Sequence, residues 1–359
     1  MTFPPLDSLP PGFRIERRYE VQRLLGSGRQ GFVYAVLDHH LREPAALKLL
    51  PTSAEGVGVW KEAVLLKRVS GHYLLPVLNA DLASGVPYIV TSIAEHGTIA
   101  DQIVPAVGTG VSDARSWARH ASRGLARMHD LELIHNDVKP ANLFLDGARA
   151  VQVGDLGFAR RLYSDGTAGV TGCAPGTTAP EVAAHALGLW SAANDRPASV
   201  VSDVYSLGAT LYWMLAGEAP YYGGSPEQVL TGVVAGPPPR LRDVAPHVPV
   251  KLARIVETAM ARDPAKRFAS MAELDAALGY KGGKDAVWSR RSPHSGHQTC
   301  FATEAGKLEL EACVETVPGS VANSITVRHA KSGRRKGEAV TCKPNELPVR
   351  LRAVFRQHR

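Results

Sequence analysis

The sequence has few cysteines, and no two of them form a CxxC pair. The four are Cys173, Cys300, Cys313 and Cys342. Their wide spacing favours neither a disulfide framework nor a zinc ribbon. The three in the tail, considered together with His297 and His329, suggest zinc, but the spacings are irregular and favour buried thiols. We therefore expect reduced cysteines and a cytoplasmic protein.

Long apolar runs are also lacking. The longest candidate, Val204 to Gly217, is too short to cross a bilayer, and the proline-rich N-terminus does not combine a basic stretch with an apolar one. Hydrophobic residues make up 45% of the chain and charged residues 21%, which is typical of a globular protein. At 359 residues the chain exceeds the usual size of one hydrophobic core. We therefore expect two or three packing units and no membrane span.

Basic residues outnumber acidic ones only in the tail. From Lys281 to Arg359 the sequence has 15 Lys and Arg against 7 Asp and Glu, whereas the first 280 residues have 26 against 27. The net charge of +7 thus belongs to the tail. A solvated surface is the ordinary interpretation of such charge, and an anion-binding surface is the alternative.

Hydrophobic patterns predict a small β-rich lobe before a helical one. YEVQRLLG, FVYAVLD, AALKLL and VPYIVTSI read as strands, and VWKEAVLLKRV between the last two reads as a helix. Beyond Gly97 the spacing becomes helical, in a helix capped by Asp113 with Trp117, Ala121, Leu125 and Met128 on one face. Helical spacing continues through Val204, Leu207, Leu211 and Leu215 to a last helix ending near Leu278.

In the tail, apolar residues recur at every second position. KLELEACVE, SITVRHA, EAVTC and VRLRAVF follow a turn-rich, charged segment, and we read all four as strands of a small β-sandwich or barrel.

The turn between the first two predicted strands reads GSGRQG at residues 26–31. Glycines without Cβ let backbone N–H groups approach phosphate oxygens closely. A lone GxGxxG is a weak signal, because dinucleotide folds and ordinary turns share it. Lys48, in the third strand, strengthens it, since a lysine within a strand is unusual. We expect Lys48 to pair with Glu62 and to hold the α- and β-phosphates. The alternative is a lysine that extends into solvent from the edge of the sheet.

Two acidic motifs follow, IHNDVKPANL at residues 134–143 and VGDLG at residues 153–157. Asp155 and Asn142 offer the hard oxygen ligands that Mg²⁺ prefers, and Asp137 is placed to accept a hydroxyl proton. Lys139 would neutralise a γ-phosphate. An isolated aspartate is more often a helix cap or a turn residue, but that interpretation is the poorer one within these motifs.

These motifs, in this order, resemble the eukaryotic-type (Hanks-type) protein kinase family and its bacterial serine/threonine members. The resemblance covers about residues 19–278 and extends to Ala179-Pro180-Glu181, to SDVYSLG at residues 202–208 and to Arg267. It implies an α+β bilobal kinase fold, ATP and Mg²⁺ as cofactors, and protein substrates with Ser or Thr acceptors. It further implies a buried Glu181–Arg267 pair and an Asp203 that braces the catalytic loop.

The resemblance also assigns the site residues. Catalytic roles fall to Asp137, Lys139 and Asn142, and metal binding to Asn142 and Asp155. The gatekeeper is Thr91, and Val33 and Ala46 would sandwich adenine. The expected nucleotide contacts are Leu25, Gly26, Ser27, Gly28, Gly31, Val33, Ala46, Lys48, Glu62, Ser92 and Ala94.

Two positions depart from the family pattern. Asn136 replaces the arginine that many members use to bind a phosphorylated activation loop. The stretch before Ala179 lacks a clean GTxxY pattern, so either Thr177 or Ala174 stands at the usual threonine position.

We therefore expect an N-terminal extension (1–18), a kinase domain (19–279, with lobes 19–95 and 96–279), a linker (280–298) and a small basic all-β domain (299–359). This domain is expected to recruit an anionic partner, either an acidic protein or a nucleic acid. The alternative functions are a catalytically weak kinase-fold scaffold and a small-molecule phosphotransferase. The physiological substrate and the activating signal do not follow from the sequence.

Overall fold

A computed structural model describes residues 5–28, 31–52, 71–170, 172–189, 196–280, 288–303 and 309–358. The small lobe is a six-stranded antiparallel sheet in the order β1-β2-β3-β4-β6-β5. Its strands are β1 (Arg14–Ile15), β2 (Tyr19–Gly28), β3 (Gly31–Asp38), β4 (Glu43–Leu49), β5 (Val77–Ala83) and β6 (Val86–Ser92). The four predicted strands are confirmed. The predicted helix over VWKEAVLLKRV, with Glu62, lies outside the described residues.

One face of this sheet forms an apolar core with residues that precede Tyr19. Leu9 and Ile15 are buried there, and the Leu9 N–H donates to Tyr34 Oη at 3.2 Å. Tyr19 and Tyr88 meet edge to face, with ring centroids 5.8 Å apart. The small lobe thus includes part of the segment expected to be an extension.

The large lobe is mainly helical. Its helices are α1 (Ile99–Gln102), α2 (Val111–His129), α3 (Pro180–Ala186), α4 (Val200–Ala216), α5 (Pro226–Ala235), α6 (Leu241–Val244), α7 (Val250–Ala259) and α8 (Met271–Leu278). Short strand pairs join β7 (Leu133–Ile134) to β10 (Arg160–Arg161), β8 (Leu143–Leu145) to β9 (Val151–Val153), and β11 (Thr167–Ala168) to β12 (Ala198–Ser199). Three 3₁₀ turns cover Pro140–Asn142, Leu156–Phe158 and Pro264–Lys266.

Helix α4 is buried along nearly its whole circumference, so it forms the centre of the lobe. The predicted apolar face of α2 is confirmed, because Trp117, Ala121, Leu125 and Met128 are all buried. The predicted cap was wrong: the helix begins after Gly110, and Asp113 lies in its first turn. A carboxylate is also favourable there, beside the positive end of the helix dipole.

The C-terminal region is a five-stranded antiparallel sheet with its own apolar core. The strands follow chain order: β13 (Trp288–Arg291), β14 (Thr299–Thr303), β15 (Leu310–Thr316), β16 (Asn323–His329) and β17 (Val340–Cys342). The predicted β-rich region is confirmed, but it is one sheet and not the expected β-sandwich or barrel. Its first strand lies within the segment expected to be a linker.

The prediction of a strand over VRLRAVF was wrong, because these residues belong to helix α9 (Leu347–Gln357). Leu347, Leu351, Val354 and Phe355 share one helical face and pack on the sheet core. Over so short a stretch, alternating residues fit a strand and a helix equally well, and Pro348 at the start of α9 favours the helix.

The C-terminal region docks on the large lobe at helix α6. Arg290 donates to the carbonyls of Ala106, at 2.8 Å, and Val244. Arg352 donates to the carbonyl of Arg242 at 2.7 Å and to Asp243 at 3.0 Å. These contacts connect the sheet and α9 to the kinase lobe.

An aromatic contact completes this docking surface. His247 is buried against Phe301, with ring centroids 5.6 Å apart. Burial, together with the charge of Arg290, lowers the pKa of His247 to about 3, so its ring is neutral at physiological pH. Among the described helices, none has the length and apolar content needed to cross a membrane.

Candidate active site

The loop after β7 is held by a buried carboxylate from helix α4. Asp203 accepts hydrogen bonds from the backbone N–H groups of His135, at 2.8 Å, and Asn136, at 3.0 Å. Its carboxylate also lies 2.9 Å from Nε2 of His129. These bonds hold Asn136 at φ +62°, a conformation that non-glycine residues rarely adopt. The predicted bracing of the loop by Asp203 is confirmed.

The bonds to Asp203 also decide its charge. Burial alone would raise the pKa of Asp203, but the hydrogen bond and charge of His129, followed by His135, outweigh burial and lower it. The carboxylate is therefore ionised and able to hold the loop. The role of His129 could not be predicted from the sequence, because Asp203 lies 74 positions further along the chain and no local motif connects the two.

Asp137 is buried at the centre of this loop, and its two carboxylate oxygens differ. Oδ2 accepts from Lys139 Nζ at 2.8 Å and from Asn142 Nδ2 at 2.8 Å. Oδ1 is buried and has no hydrogen-bond partner among the described residues. Two donors thus hold Oδ2, whereas Oδ1 keeps its hydrogen-bonding capacity unused, and all three predicted catalytic residues lie in one cluster.

Asp155 lies beside this cluster. The Gly154 N–H donates to the Asn142 carbonyl at 3.0 Å, and the Gly154 carbonyl lies 3.0 Å from Nε2 of His135. These contacts bring together Asn142 and Asp155, the two residues predicted to bind metal.

Lys48 extends from β4 towards Asp155, and its Nζ lies 2.5 Å from Oδ1. Burial alone would raise the pKa of Asp155, but the charge and hydrogen bond of Lys48, with His135 and Lys139, lower it. Asp155 is therefore ionised, and its carboxylate is available to a cation. The expected partner Glu62 lies outside the described residues.

The glycine-rich turn connects β2 to β3 as predicted. Gly26 pairs with Val33, and Gly28 with Gly31, while residues 29 and 30 lie outside the description. Gly31 has φ +117°, and a Cβ there would lie 1.9 Å from the Leu49 carbonyl oxygen. Only glycine fits, because this clash is with backbone.

The other predicted nucleotide contacts lie on neighbouring strands. Val33 pairs with Lys48, and Ala46 pairs with Thr91. Two groups of the segment predicted to bind adenine are already bonded: the Ser92 N–H donates to Pro76 at 3.3 Å, and the Ala94 carbonyl accepts from Gly97 at 3.2 Å. The remaining nucleotide contacts predicted in the turn are Leu25, which is half-exposed, and Ser27, which pairs with Phe32.

A buried ion pair connects distant parts of the large lobe. Both nitrogens of the Arg267 fork donate to Glu181, each at 2.7 Å, and Arg267 also donates to the Ala261 and Val201 carbonyls. The predicted Glu181–Arg267 pair is confirmed. Thr177 is buried near this segment, and nothing in its contacts decides between it and Ala174 at the threonine position.

A small β-sheet lobe over a helical lobe, with a carboxylate, lysine and asparagine cluster between them, defines a protein kinase. The family model for the protein kinase domain matches residues 19–277. The chain therefore belongs to the protein kinase family, whose members transfer phosphate from ATP to proteins with the help of a divalent metal.

The curated relatives are bacterial serine/threonine kinases. The chain is 32% identical over 283 residues to serine/threonine-protein kinase PknK of Mycobacterium tuberculosis, covering 74% of this chain and 24% of the relative. It is 29% identical over 272 residues to PknL of the same organism, covering 74% of this chain and 65% of the relative. It is 31% identical over 280 residues to the probable serine/threonine-protein kinase CE0033 of Corynebacterium efficiens, covering 74% of this chain and 41% of the relative. The chain thus spans between a quarter and two thirds of these relatives' lengths.

Proposed function

We propose that this protein transfers the γ-phosphate of ATP to serine or threonine hydroxyls of proteins. The observation that carries this proposal is the asymmetry of Asp137, in which Lys139 and Asn142 hold Oδ2 while the buried Oδ1 has no hydrogen-bond partner among the described residues. Oδ1 would accept the proton of the substrate hydroxyl and orient its oxygen towards the phosphorus. Lys139 lies two residues after this base, and a lysine at that position resembles the pattern of serine/threonine kinases rather than that of tyrosine kinases.

Phosphate transfer has a loose transition state, so positioning and charge neutralisation provide most of the catalysis. Lys48 would release Asp155 to contact the α- and β-phosphates, with Glu62 as its expected partner. Lys139 would stabilise charge on the γ-phosphate. The glycine-rich turn would cover the phosphates, with Val33 and Ala46 on either side of adenine and the segment from Ser92 to Ala94 at its edge.

The donor set fits Mg²⁺. Asp155 supplies an ionised carboxylate and Asn142 an amide oxygen, which are the hard ligands that this cation prefers. When bound, magnesium would neutralise the phosphate charge. None of the four cysteines is disulfide-bonded, which together with the use of ATP supports action in the cytoplasm.

Replacing Lys48 with methionine tests the nucleotide assignment. We expect the substitution to lower the rate of phosphate transfer by about 10- to 150-fold, because a hydrogen bond from a charged group contributes about 1.5–3 kcal/mol. The rate is measured with ATP labelled at the γ-phosphate and a generic basic protein, and phosphoamino-acid analysis identifies the acceptor. Lys266→Met, in an exposed part of the large lobe, is the matched control. An inactive wild-type protein would favour the scaffold alternative.

We further propose that the C-terminal region recruits an anionic partner, either an acidic protein or a nucleic acid. Its support is the basic loop at residues 331–337, between β16 and β17, in which Arg334 and Arg335 are exposed. Arg352 does not belong to this surface, because it contacts the large lobe.

Alanine at Arg334, Arg335 and Lys336 should weaken binding to a labelled oligonucleotide or to a poly-glutamate peptide without changing the kinase rate. Added salt should do the same in the wild-type protein, because exposed charges are screened beyond about 8 Å at physiological ionic strength. Binding is followed by fluorescence anisotropy. Alanine at Arg240, Arg254 and Lys266, which are exposed on the large lobe, should have no effect. Unchanged binding in the loop variant would contradict the proposal.

A further inference from the structure

Two histidines and two cysteines of the C-terminal sheet converge on one point. His294 and His297 lie in the loop between β13 and β14, Cys300 in β14 and Cys313 in β15. One potential ligand atom from each of the four lies within 4.8 Å of the other three. None of these four residues belongs to the active site or has a role in phosphate transfer.

The backbone brings the four side chains together in two ways. Cys300 and Cys313 are directly opposed partners in the β14–β15 ladder, so their side chains share one face of the sheet. Both are 2% exposed, although Phe301 and Ala312, the next pair along, face the apolar core on the other side.

The histidines come from a tight turn over that face. The His297 N–H donates to the His294 carbonyl at 3.0 Å, and Gly296 has φ +84°, which this turn requires. The turn brings the two imidazole rings together edge to face, with centroids 5.3 Å apart.

The distances match a tetrahedral zinc site. His297 Nδ1 lies 3.3 Å from Cys300 Sγ, and His294 Nδ1 lies 3.5 Å from Cys300 Sγ and 3.7 Å from Cys313 Sγ. Zn–S bonds of about 2.3 Å and Zn–N bonds of about 2.0–2.1 Å at tetrahedral angles separate sulfur from nitrogen by about 3.6 Å. These three nitrogen–sulfur distances are therefore close to those that the ion would impose, and all four ligand atoms lie within 4.8 Å of one another.

A carboxylate supports one of the histidines from behind. Glu315 Oε1 lies 3.0 Å from His297 Nε2, the ring nitrogen that is not directed at Cys300. Metal-bound histidines typically donate their other N–H to a carboxylate in this way, which fixes the tautomer and the ring orientation. A pair of buried thiols would need no such arrangement.

We propose that His294, His297, Cys300 and Cys313 bind a zinc ion in a closed structural site. Two thiolates and two neutral imidazoles balance the charge of Zn²⁺, and their mixture of sulfur and nitrogen favours zinc over the oxygen-seeking cations. The two thiols release their protons on binding, and no redox step is involved. Cys342 is not part of the site, because it packs in the apolar core.

The site would anchor the loop at residues 292–298, whose sequence SPHSGHQ has no large apolar side chain to hold it on the sheet. This loop follows directly from β13, which carries Arg290 to the Ala106 and Val244 carbonyls. Zinc would thus stabilise the strand that docks the C-terminal region on the kinase lobe.

The test uses the untagged full chain purified under reducing conditions. Elemental analysis should find about one zinc per chain, and replacement by Co²⁺ should give the thiolate charge-transfer and visible bands of tetrahedral coordination. Both signals should be lost in Cys300→Ser and Cys313→Ser. His294 is exposed, so His294→Ala should fold normally and still lose the visible spectrum or lower zinc affinity by at least tenfold.

Two controls separate this site from other cysteines and histidines. Cys173→Ser and His329→Ala should keep both the zinc content and the Co²⁺ spectrum. A chelator should lower the Tm of the wild-type protein and of these controls, and it should lower the Tm of His294→Ala by less. The proposal is overturned if the reduced protein neither contains nor takes up zinc, if His294→Ala binds Co²⁺ unchanged, or if mass spectrometry finds Cys300 and Cys313 joined as a disulfide in freshly purified protein.

Discussion

Replacing Asp137 with asparagine will reduce phosphate transfer by about a hundred- to ten-thousandfold and leave the protein folded. The substitution keeps the size and shape of the side chain and an oxygen that can accept from Lys139. It removes the negative charge and the second acceptor, so the substrate hydroxyl loses the group that takes its proton.

The experiment compares initial rates of transfer from labelled ATP at saturating substrate, with thermal unfolding by circular dichroism as a check on folding. Asp113→Asn provides the control, because Asp113 is exposed in the first turn of α2: the transfer rate should stay unchanged, and the loss of the favourable charge at the helix start should cost only about 0.3–1 kcal/mol of stability. A rate close to that of the wild-type protein would exclude Asp137 as the base. If the variant bound nucleotide normally, the fault would then lie with this assignment and not with the kinase fold.

Replacing Arg267 with alanine will lower the free energy of unfolding of the kinase lobe by about 3–5 kcal/mol. The Arg267 side chain is 0% exposed and that of Glu181 is 11% exposed, so the substitution leaves a nearly buried carboxylate without its partner. It also removes the hydrogen bonds that Arg267 donates to the Ala261 and Val201 carbonyls. Urea unfolding followed by circular dichroism measures the change.

The neighbouring residue gives a matched control. Lys266 is paired with Asp263 at 3.9 Å, but both side chains are largely exposed, so Lys266→Ala should cost no more than about 1 kcal/mol. Combining Arg267→Met with Glu181→Met should cost less than the sum of the two single substitutions, because neither charge is then left alone. Equal effects of Arg267→Ala and Lys266→Ala would show that the buried pair contributes no more than a surface pair.

Much of the active site could be predicted from the sequence because its groups are close together in the chain. Asp137, Lys139 and Asn142 lie within six positions, and a single loop brings them into one hydrogen-bonded cluster. The glycine-rich turn is equally local. His129 escaped prediction because its partner Asp203 arrives on a helix that only the folded lobe brings near.

The C-terminal region was predicted less completely. Alternation correctly indicated a sheet, but the same alternation over VRLRAVF disguised helix α9, since a short segment can satisfy both periods. The cysteine and histidine spacing gave no recognisable metal motif. His294 was not considered, and His329, which was, lies outside the cluster.

The sequence by itself determined the protein kinase family and the identity of the reacting groups, because those groups belong to short motifs whose order survives without any knowledge of packing. Only the tertiary structure decided that Cys300 faces Cys313 beneath two histidines, because strand register sets that contact. It also decided that Arg290 and Arg352 dock the C-terminal sheet and helix on the kinase lobe. Val244 lies 46 positions from Arg290 and the other partners lie more than 100 positions from the arginine that binds them, so no local pattern specifies which carbonyls each guanidinium will meet.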